Sequence, residues 1–206
     1  MTSVKIKIGD NLDEADQRVV LAREVIGPGI DLMVDANGAC RARDALALAD
    51  CLAEQGVCWF EEPVTSEDFE GLRWLRDRVP GDMAIAAGEY GWDSIYFRRM
   101  LEVGAVDVLQ VDATRCGYTG FLHAAELAAA FNVPLSAHCA PALHTPLCVA
   151  VDGIRHAEYF HDHARVEAML FDSGDSLHDG ELWPDLERIG HGIELRRTDA
   201  EPYRTH

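Results

Sequence analysis

Six ionisable side chains recur along this sequence, each directly after a short apolar run that is typical of a buried strand. They are Asp35, Glu61, Glu89, Asp112, His138 and Glu158. The intervals between them are 20 to 28 residues, and a strand, a helix and two loops take roughly this length. In a (β/α) barrel the carboxyl ends of the strands open onto one face, where active sites lie. We therefore expect these six side chains to meet on one rim.

Three of the six are carboxylates at the ends of successive predicted strands: Asp35, Glu61 and Glu89. Mg²⁺ prefers such hard oxygen ligands and keeps coordination positions open for water or substrate. A zinc site would more often include His or Cys. The three carboxylates therefore predict a magnesium site. Glu62 follows Glu61 and is expected to point elsewhere, as a residue behind the ligands or as a surface charge.

Two further pairs could move protons beside this site. A substrate carboxylate bound to Mg²⁺ has an acidified α-proton, because the metal stabilises the enediolate that forms. Lys5 and Lys7 lie two apart on a predicted strand and face the same way. Two ammonium groups at so short a distance should lower each other's pKa, which makes Lys7 a credible base. Asp112 could orient His138 and raise its pKa, which gives a second general acid/base.

Composition restricts the class of function. The chain has 206 residues and a net charge of −18. This charge argues against nucleic acid as a partner, since phosphate binding needs clustered Lys and Arg. The six cysteines form no CxxC pair, and no apolar run is long enough to span a bilayer. We expect a cytoplasmic protein with no membrane association. Cys139, next to His138, is interpreted as a small packed residue rather than a nucleophile.

Short strands alternate with helices along most of the chain, which predicts an α/β fold with a parallel sheet. Since nearly every strand ends in a polar residue, a closed barrel is favoured over a doubly wound sheet. From residue 167 the pattern gives way to Gly- and Asp-rich loops with a short hairpin-like segment. The predicted strands are 4–8, 31–34, 57–60, 83–87, 106–111, 134–137 and a short one ending at 158, and the predicted helices are 12–26, 41–55, 68–78, 94–102, 120–131 and 147–152.

The motifs that hold these residues follow one another in the order KIK, VDAN, FEEP, GE, GYTG, SAH and a closing Glu. In this order and spacing the chain resembles the catalytic barrel of the enolase superfamily, in its mandelate racemase-like subgroup. The resemblance implies Asp35, Glu61 and Glu89 as Mg²⁺ ligands and Lys7 as base, with Lys5 as its electrostatic neighbour. It implies His138 with Asp112 as the opposite acid/base dyad. Glu158 would hydrogen-bond a substrate carboxylate, and Asn37 would lie near metal and substrate.

The resemblance also implies a (β/α)7β barrel of the enolase carboxyl-terminal type. We expect residues 1–206 to form one partial barrel domain, with a core at 4–160 and a loop-rich tail at 161–206. Against the family pattern, the chain is expected to lack the first barrel strand and the amino-terminal α+β capping domain. Its partners would then be that capping domain or further copies of the chain, besides a small carboxylate substrate.

Three functions are compatible with this reading. The first is Mg²⁺-dependent dehydration of a sugar acid to a 2-keto-3-deoxy acid, which is preferred because the resemblance to the family implies it. The second is racemisation or epimerisation of a 2-hydroxy acid, which uses the same residues. The third is a non-catalytic, metal-binding barrel or partner subunit. A different (β/α) barrel with an aldolase or isomerase role explains the facing Lys and Asp–His pairs less well.

Overall fold

Seven parallel strands, each followed by a helix, make up most of the protein. The computed structural model describes residues 2–9, 11 and 14–205. The strands pair in sequential order from β1 to β7, which confirms the predicted α/β fold with a parallel sheet. Strands β1 to β7 are Ser3–Lys7, Asp31–Asp35, Val57–Glu61, Ala84–Ala87, Val108–Val111, Leu135–Ala137 and Ile154–Ala157, and helices α1 to α7 are Ala15–Ile26, Ala42–Glu54, Phe69–Arg76, Ser94–Val103, Ala113–Ala130, Pro141–Ala150 and His161–Leu170.

The strand register sets the polar end of the sheet. Lys7 on β1 lies beside Asp35 on β2, and Asp35 lies beside Glu61 on β3. Because side chains alternate along a strand, the residues two positions earlier on β2 and β3 share this face. These are Met33 and Trp59, which form a small apolar cluster with neighbours from β4 and β5. The larger core cluster joins the sheet to its covering helices. Asp35 and Glu61 therefore lie next to an apolar layer on the same face of the sheet, nearer the carboxyl ends of the strands.

The sheet curls strongly, which brings its first and last strands together. The Lys5 Nζ on β1 lies 2.8 Å from the Glu158 Oε1, directly after β7. Within the part of the chain that the structure describes, β1 and β7 share no backbone pairing, so the curl is not closed by hydrogen bonds. A barrel of this type has eight strands, and here seven form the curled sheet.

Three helices differ from their predictions. Helix α5 begins at Ala113 rather than 120, because the chain enters a first turn before Gly117 (φ 71°) bends it. Helix α6 begins at Pro141 rather than 147, since proline fits the first turn of a helix and Pro146 is tolerated inside it. Helix α7 lies within the segment expected to be loop-rich. The predicted start of the first helix at Leu12 falls outside the described residues.

The chain after α7 forms small antiparallel pairs. These are β8 (Phe171–Asp172) with β11 (Glu194–Leu195), and β9 (Ser176–His178) with β10 (Glu181–Trp183). The second pair is the hairpin expected in this region. The chain continues into α8 (Arg197–Ala200) and a 3₁₀ turn at Glu201–Tyr203. Among the described residues, no helix has the length and apolarity needed to cross a membrane.

Candidate active site

All six ionisable residues lie at the carboxyl ends of the strands. Asp35 and Glu61 close β2 and β3, and Glu89 lies two residues beyond β4. The other three, Asp112, His138 and Glu158, each directly follow β5, β6 and β7. The structure therefore brings the predicted side chains to one rim of the curled sheet.

The three carboxylates predicted as metal ligands form a compact buried cluster. Asp35 and Glu61 are 0% exposed and Glu89 is 4% exposed. One oxygen from each lies within 4.8 Å of the others. The Glu89 Oε2 is buried and, among the described residues, accepts no hydrogen bond of regular geometry, although it forms an ion pair with the His138 Nε2 at 3.0 Å. Three carboxylates buried this close together repel one another, and positive charge between them offsets that repulsion, so this set fits a hard divalent ion.

Glu62 adds a fourth buried carboxyl group, which rules out a surface charge. It is 1% exposed, and its Oε1 has no hydrogen-bond partner in the part of the chain that the structure describes. Its φ of 39° breaks the strand geometry, so simple alternation after Glu61 does not apply. Burial, together with the charges of Glu89 and Asp35, raises the pKa of Glu62 to about 8. An additional positive charge near this cluster would offset that repulsion.

Each of the two lysines forms ion pairs with carboxylates, and these pairs affect its pKa more than the other lysine does. The Lys5 Nζ lies 2.6 Å from Glu61 and 2.8 Å from Glu158, and the Lys7 Nζ lies 2.5 Å from the Asp35 Oδ2. Burial lowers the pKa of both lysines, but the carboxylates outweigh it and the net shift is upward. The expectation that the like charges would bring the pKa values towards neutrality is therefore wrong for this arrangement. The positive charge of Lys5 opposes the rise in the Lys7 pKa but is outweighed by Asp35 and Glu89.

Asp112 and His138 form the predicted pair. The His138 Nδ1 lies 3.1 Å from one Asp112 oxygen, and the other oxygen accepts the Thr114 backbone N–H at 2.7 Å. One carboxylate thus caps α5 and orients the imidazole. Burial lowers the pKa of His138, but Asp112, Cys139 and Glu89 outweigh it and raise this pKa to about 12. The imidazolium points its Nε2 towards the carboxylate cluster.

Several residues just beyond the strands have left-handed backbones, which are rare outside glycine. Asn37 (φ 47°) follows β2, and Cys139 (φ 53°) and Ala140 (φ 37°) follow β6. The Asn37 backbone N–H donates to the Asp35 Oδ1 at 2.8 Å, while its side chain is exposed. The Cys139 N–H donates to the Glu158 Oε2 at 3.0 Å. These turns therefore aim main-chain donors at two carboxylates of the site.

His144 is a positioning residue that the sequence did not single out. It is 0% exposed and accepts the Ala113 N–H on Nε2 at 2.8 Å. Its Nδ1 lies 2.9 Å from the carbonyl of Cys139 and 3.0 Å from that of Ala140, so this nitrogen carries the proton. One imidazole therefore links the first residue of α5 to the turn after His138. No local pattern predicts such a bridge, because it depends on how α6 packs against α5.

Two other residues help to position the carboxylates of the site. The Trp59 indole N–H donates to the Glu61 Oε2 at 2.9 Å, a contact that alternation along β3 would have predicted. Gly88 precedes Glu89 with φ 129°, and a Cβ there would lie 2.4 Å from the Gln110 carbonyl oxygen. Only glycine allows this close approach, so the Gly-Glu motif has a steric cause.

Comparison with known proteins agrees with this arrangement. The sequence model of the family described as Enolase C-terminal domain-like matches residues 1–200. The chain belongs to this family. The resemblance to the enolase superfamily and its mandelate racemase-like members is thereby confirmed.

Three relatives illustrate the family. D-galactarolactone cycloisomerase of Agrobacterium fabrum (strain C58) is 43% identical over 115 residues, or 55% of this chain and 29% of the relative. The structure of a mandelate racemase/muconate lactonizing enzyme-like protein from Rubrobacter xylanophilus has a TM-score of 0.91 at 48% identity, over 98% of this chain and 56% of that one. L-talarate/galactarate dehydratase from Salmonella typhimurium LT2, liganded with Mg and L-lyxarohydroxamate, has a TM-score of 0.87 at 29% identity, over 98% and 50%.

The chain spans about half or less of the length of these relatives. Other relatives bear the names of an L-galactonate dehydratase and a hydrophobic dipeptide epimerase. The relatives therefore include enzymes named as dehydratases, a cycloisomerase and an epimerase.

Proposed function

We propose that this protein removes the proton α to the carboxylate of a sugar acid, with Mg²⁺ as cofactor. The observation that carries the proposal is the buried cluster of Asp35, Glu61 and Glu89, flanked by Lys7 from β1 and by His138 from β6. A cation held by this cluster would lie between two groups that could exchange protons.

Asp35, Glu61 and Glu89 would hold the metal. Bound Mg²⁺ would supply positive charge that stabilises the negative charge developing on the substrate carboxylate. The Salmonella relative with bound Mg supports this choice of ion. Glu158 would hydrogen-bond the same carboxylate from the β7 side as a protonated carboxyl group, which requires that its ion pair with Lys5 be given up. Asn37, exposed at the end of β2, would contact the substrate from the open side of the rim.

Lys7 and His138 would act from two sides of the substrate. Lys7 must be neutral to accept a proton, and its ion pair with Asp35 opposes this. Lys7 can therefore act as a base once the Asp35 carboxylate is engaged by another cation. His138, held protonated by Asp112 and Glu89, is suited to donate a proton. The β-hydroxyl of a sugar acid would leave as water when His138 protonates it, and the product would be a 2-keto-3-deoxy acid.

Epimerisation is the second candidate, because one group can remove the α-proton and the other can return it to the opposite face. The relatives named as dehydratases and as an epimerase support both outcomes for this set of residues. Dehydration is favoured for the acid-sugar relatives, among which the Salmonella protein is named for talarate and galactarate. The third reading, a non-catalytic metal-binding barrel that serves as a partner subunit, has no observation of its own to favour it.

The test is a panel of aldonic and aldaric acids incubated with the protein and Mg²⁺ in D₂O. Formation of a 2-keto acid supports dehydration, and α-deuteration with inversion but no keto acid supports epimerisation. Lys7→Ala and His138→Asn should each abolish the activity, while Lys7 and His138 would be non-catalytic if both variants retained it. The exposed Glu126→Gln on α5 is the matched control.

A further inference from the structure

A second group of potential metal ligands lies beside the carboxylate cluster and has a different chemical character. It consists of His138, Cys139 and Glu158, whose ligand atoms lie within 4.8 Å of one another. The first cluster offers only carboxylate oxygens, whereas this one offers a nitrogen, a sulfur and an oxygen. Hard oxygen ligands suit Mg²⁺, and a set containing imidazole and thiolate suits zinc and similar ions.

The spacing of the three atoms fits one tetrahedral ion. The Cys139 Sγ lies 3.2 Å from the His138 Nε2 and 3.4 Å from the Glu158 Oε2, and the latter two atoms are 3.8 Å apart. With Zn–S of about 2.3 Å and Zn–N or Zn–O of about 2.0–2.2 Å, a tetrahedron places its ligand atoms about 3.3–3.6 Å apart. The observed separations require shifts of only a few tenths of an ångström.

The backbone holds two of these ligands in place. The left-handed conformation of Cys139 turns its amide and its thiol towards Glu158, and the amide donates to the Oε2 at 3.0 Å. Asp112 accepts from the Nδ1 of His138, so the Nε2, which pairs with Glu89 at 3.0 Å in the ion-free protein, is the ring nitrogen that faces Cys139. A carboxylate on the second nitrogen is the usual support for a metal-binding histidine. The ion would displace the protons of the His138 Nε2 and of the Cys139 thiol to solvent. The resulting thiolate, carboxylate and neutral imidazole would together match the charge of a divalent ion.

We propose that His138, Cys139 and Glu158 bind a thiophilic divalent cation of the zinc class, separately from the magnesium site. Such an ion takes the Nε2 of His138, so a protein loaded at this position could not use that nitrogen for proton transfer. The site is then inhibitory, and it sets a limit on the zinc concentration at which the protein can work.

The test uses Co²⁺ as a spectroscopic substitute, added to the Mg²⁺-saturated protein. Co²⁺ at this site should give a thiolate-to-cobalt charge-transfer band and intense tetrahedral d–d bands, and both should disappear when Zn²⁺ is added. Co²⁺ in the all-carboxylate site would give neither. Cys139→Ser should remove the charge-transfer band and weaken Zn²⁺ binding at least on the order of 100-fold, since even supporting residues cost 10–100-fold.

Cys116→Ser is the matched control, because the Cys116 Sγ also lies on this rim, 3.2 Å from the Asp112 carbonyl. Absence of the band in the unmodified protein, or its survival in Cys139→Ser, would overturn the proposal. Should Cys139→Ser fail to fold, X-ray absorption of the zinc-loaded unmodified protein decides. One sulfur at about 2.3 Å with nitrogen or oxygen neighbours supports the site, and a shell without sulfur refutes it.

Discussion

Replacement of His144 by alanine should destabilise the protein strongly, although His144 touches no substrate in the proposed reaction. The substitution leaves the buried Ala113 N–H without an acceptor, which costs about 1–3 kcal/mol. The lost hydrogen bond to the carbonyls of Cys139 and Ala140 adds about 0.5–1.5 kcal/mol. Loss of the ring contact with Phe121, at a centroid distance of 5.6 Å, adds about 0.5–1.5 kcal/mol.

These contributions sum to about 2–6 kcal/mol, a large share of the roughly 5–15 kcal/mol that stabilises a typical domain. Urea unfolding followed by tryptophan fluorescence would measure the change in unfolding free energy. His161→Ala is the control, since the His161 side chain is 87% exposed and pairs with the neighbouring Asp162 at 3.2 Å. If the unfolding free energy of His144→Ala lay within about 0.5 kcal/mol of that of the unmodified protein, the contacts of His144 with Ala113 and the turn at Cys139 would not stabilise the fold.

Three further substitutions test the site. Glu89→Gln should weaken Mg²⁺ binding, measured by calorimetry, on the order of 100-fold. The exposed Glu126→Gln should leave the Mg²⁺ affinity unchanged, and equal affinities of the two variants would exclude Glu89 as a ligand. Asp112→Asn removes a hydrogen bond that raises the pKa of His138, so NMR titration should find that pKa lowered, and an unchanged pKa would contradict the pairing. Gly88→Ala introduces a Cβ 2.4 Å from a backbone carbonyl oxygen, so the purified variant should show a lower melting temperature and reduced Mg²⁺ affinity, and retention of both would refute the steric argument.

The sequence predicted the rim well because strand ends have strong local signals. Asp35 and Glu61 follow apolar runs, and β-alternation with parallel register then places them side by side without any knowledge of the helices. Glu89 required one more cue, the preceding Gly88, whose conformation turns the chain at the close approach to β5. Prediction failed where the start of a helix depended on a bend, as at Gly117 in α5.

The parts of the site that were missed depend on three-dimensional proximity. The pKa of Lys7 is governed by Asp35 on the next strand more than by Lys5 on its own strand, so reasoning within one strand gave the wrong direction. Glu62 itself has a left-handed backbone (φ 39°), which ends the alternation of side chains along β3. A rule based on regular strands therefore did not predict its burial. His144 accepts the backbone N–H of Ala113, which is 31 residues away in sequence, as well as contacting the nearby turn at Cys139.

Exchange of the substrate α-proton tests the central claim most directly, because dehydration and epimerisation share that step. The protein would be incubated in D₂O with aldaric acids, with and without Mg²⁺, and deuterium at the α-carbon or in the derived product would be followed by NMR. We predict incorporation that requires Mg²⁺ and is lost in both Glu89→Gln and Lys7→Ala. Incorporation at the same rate after chelation of the metal, or in the Lys7→Ala variant combined with His138→Asn, would contradict the proposed site.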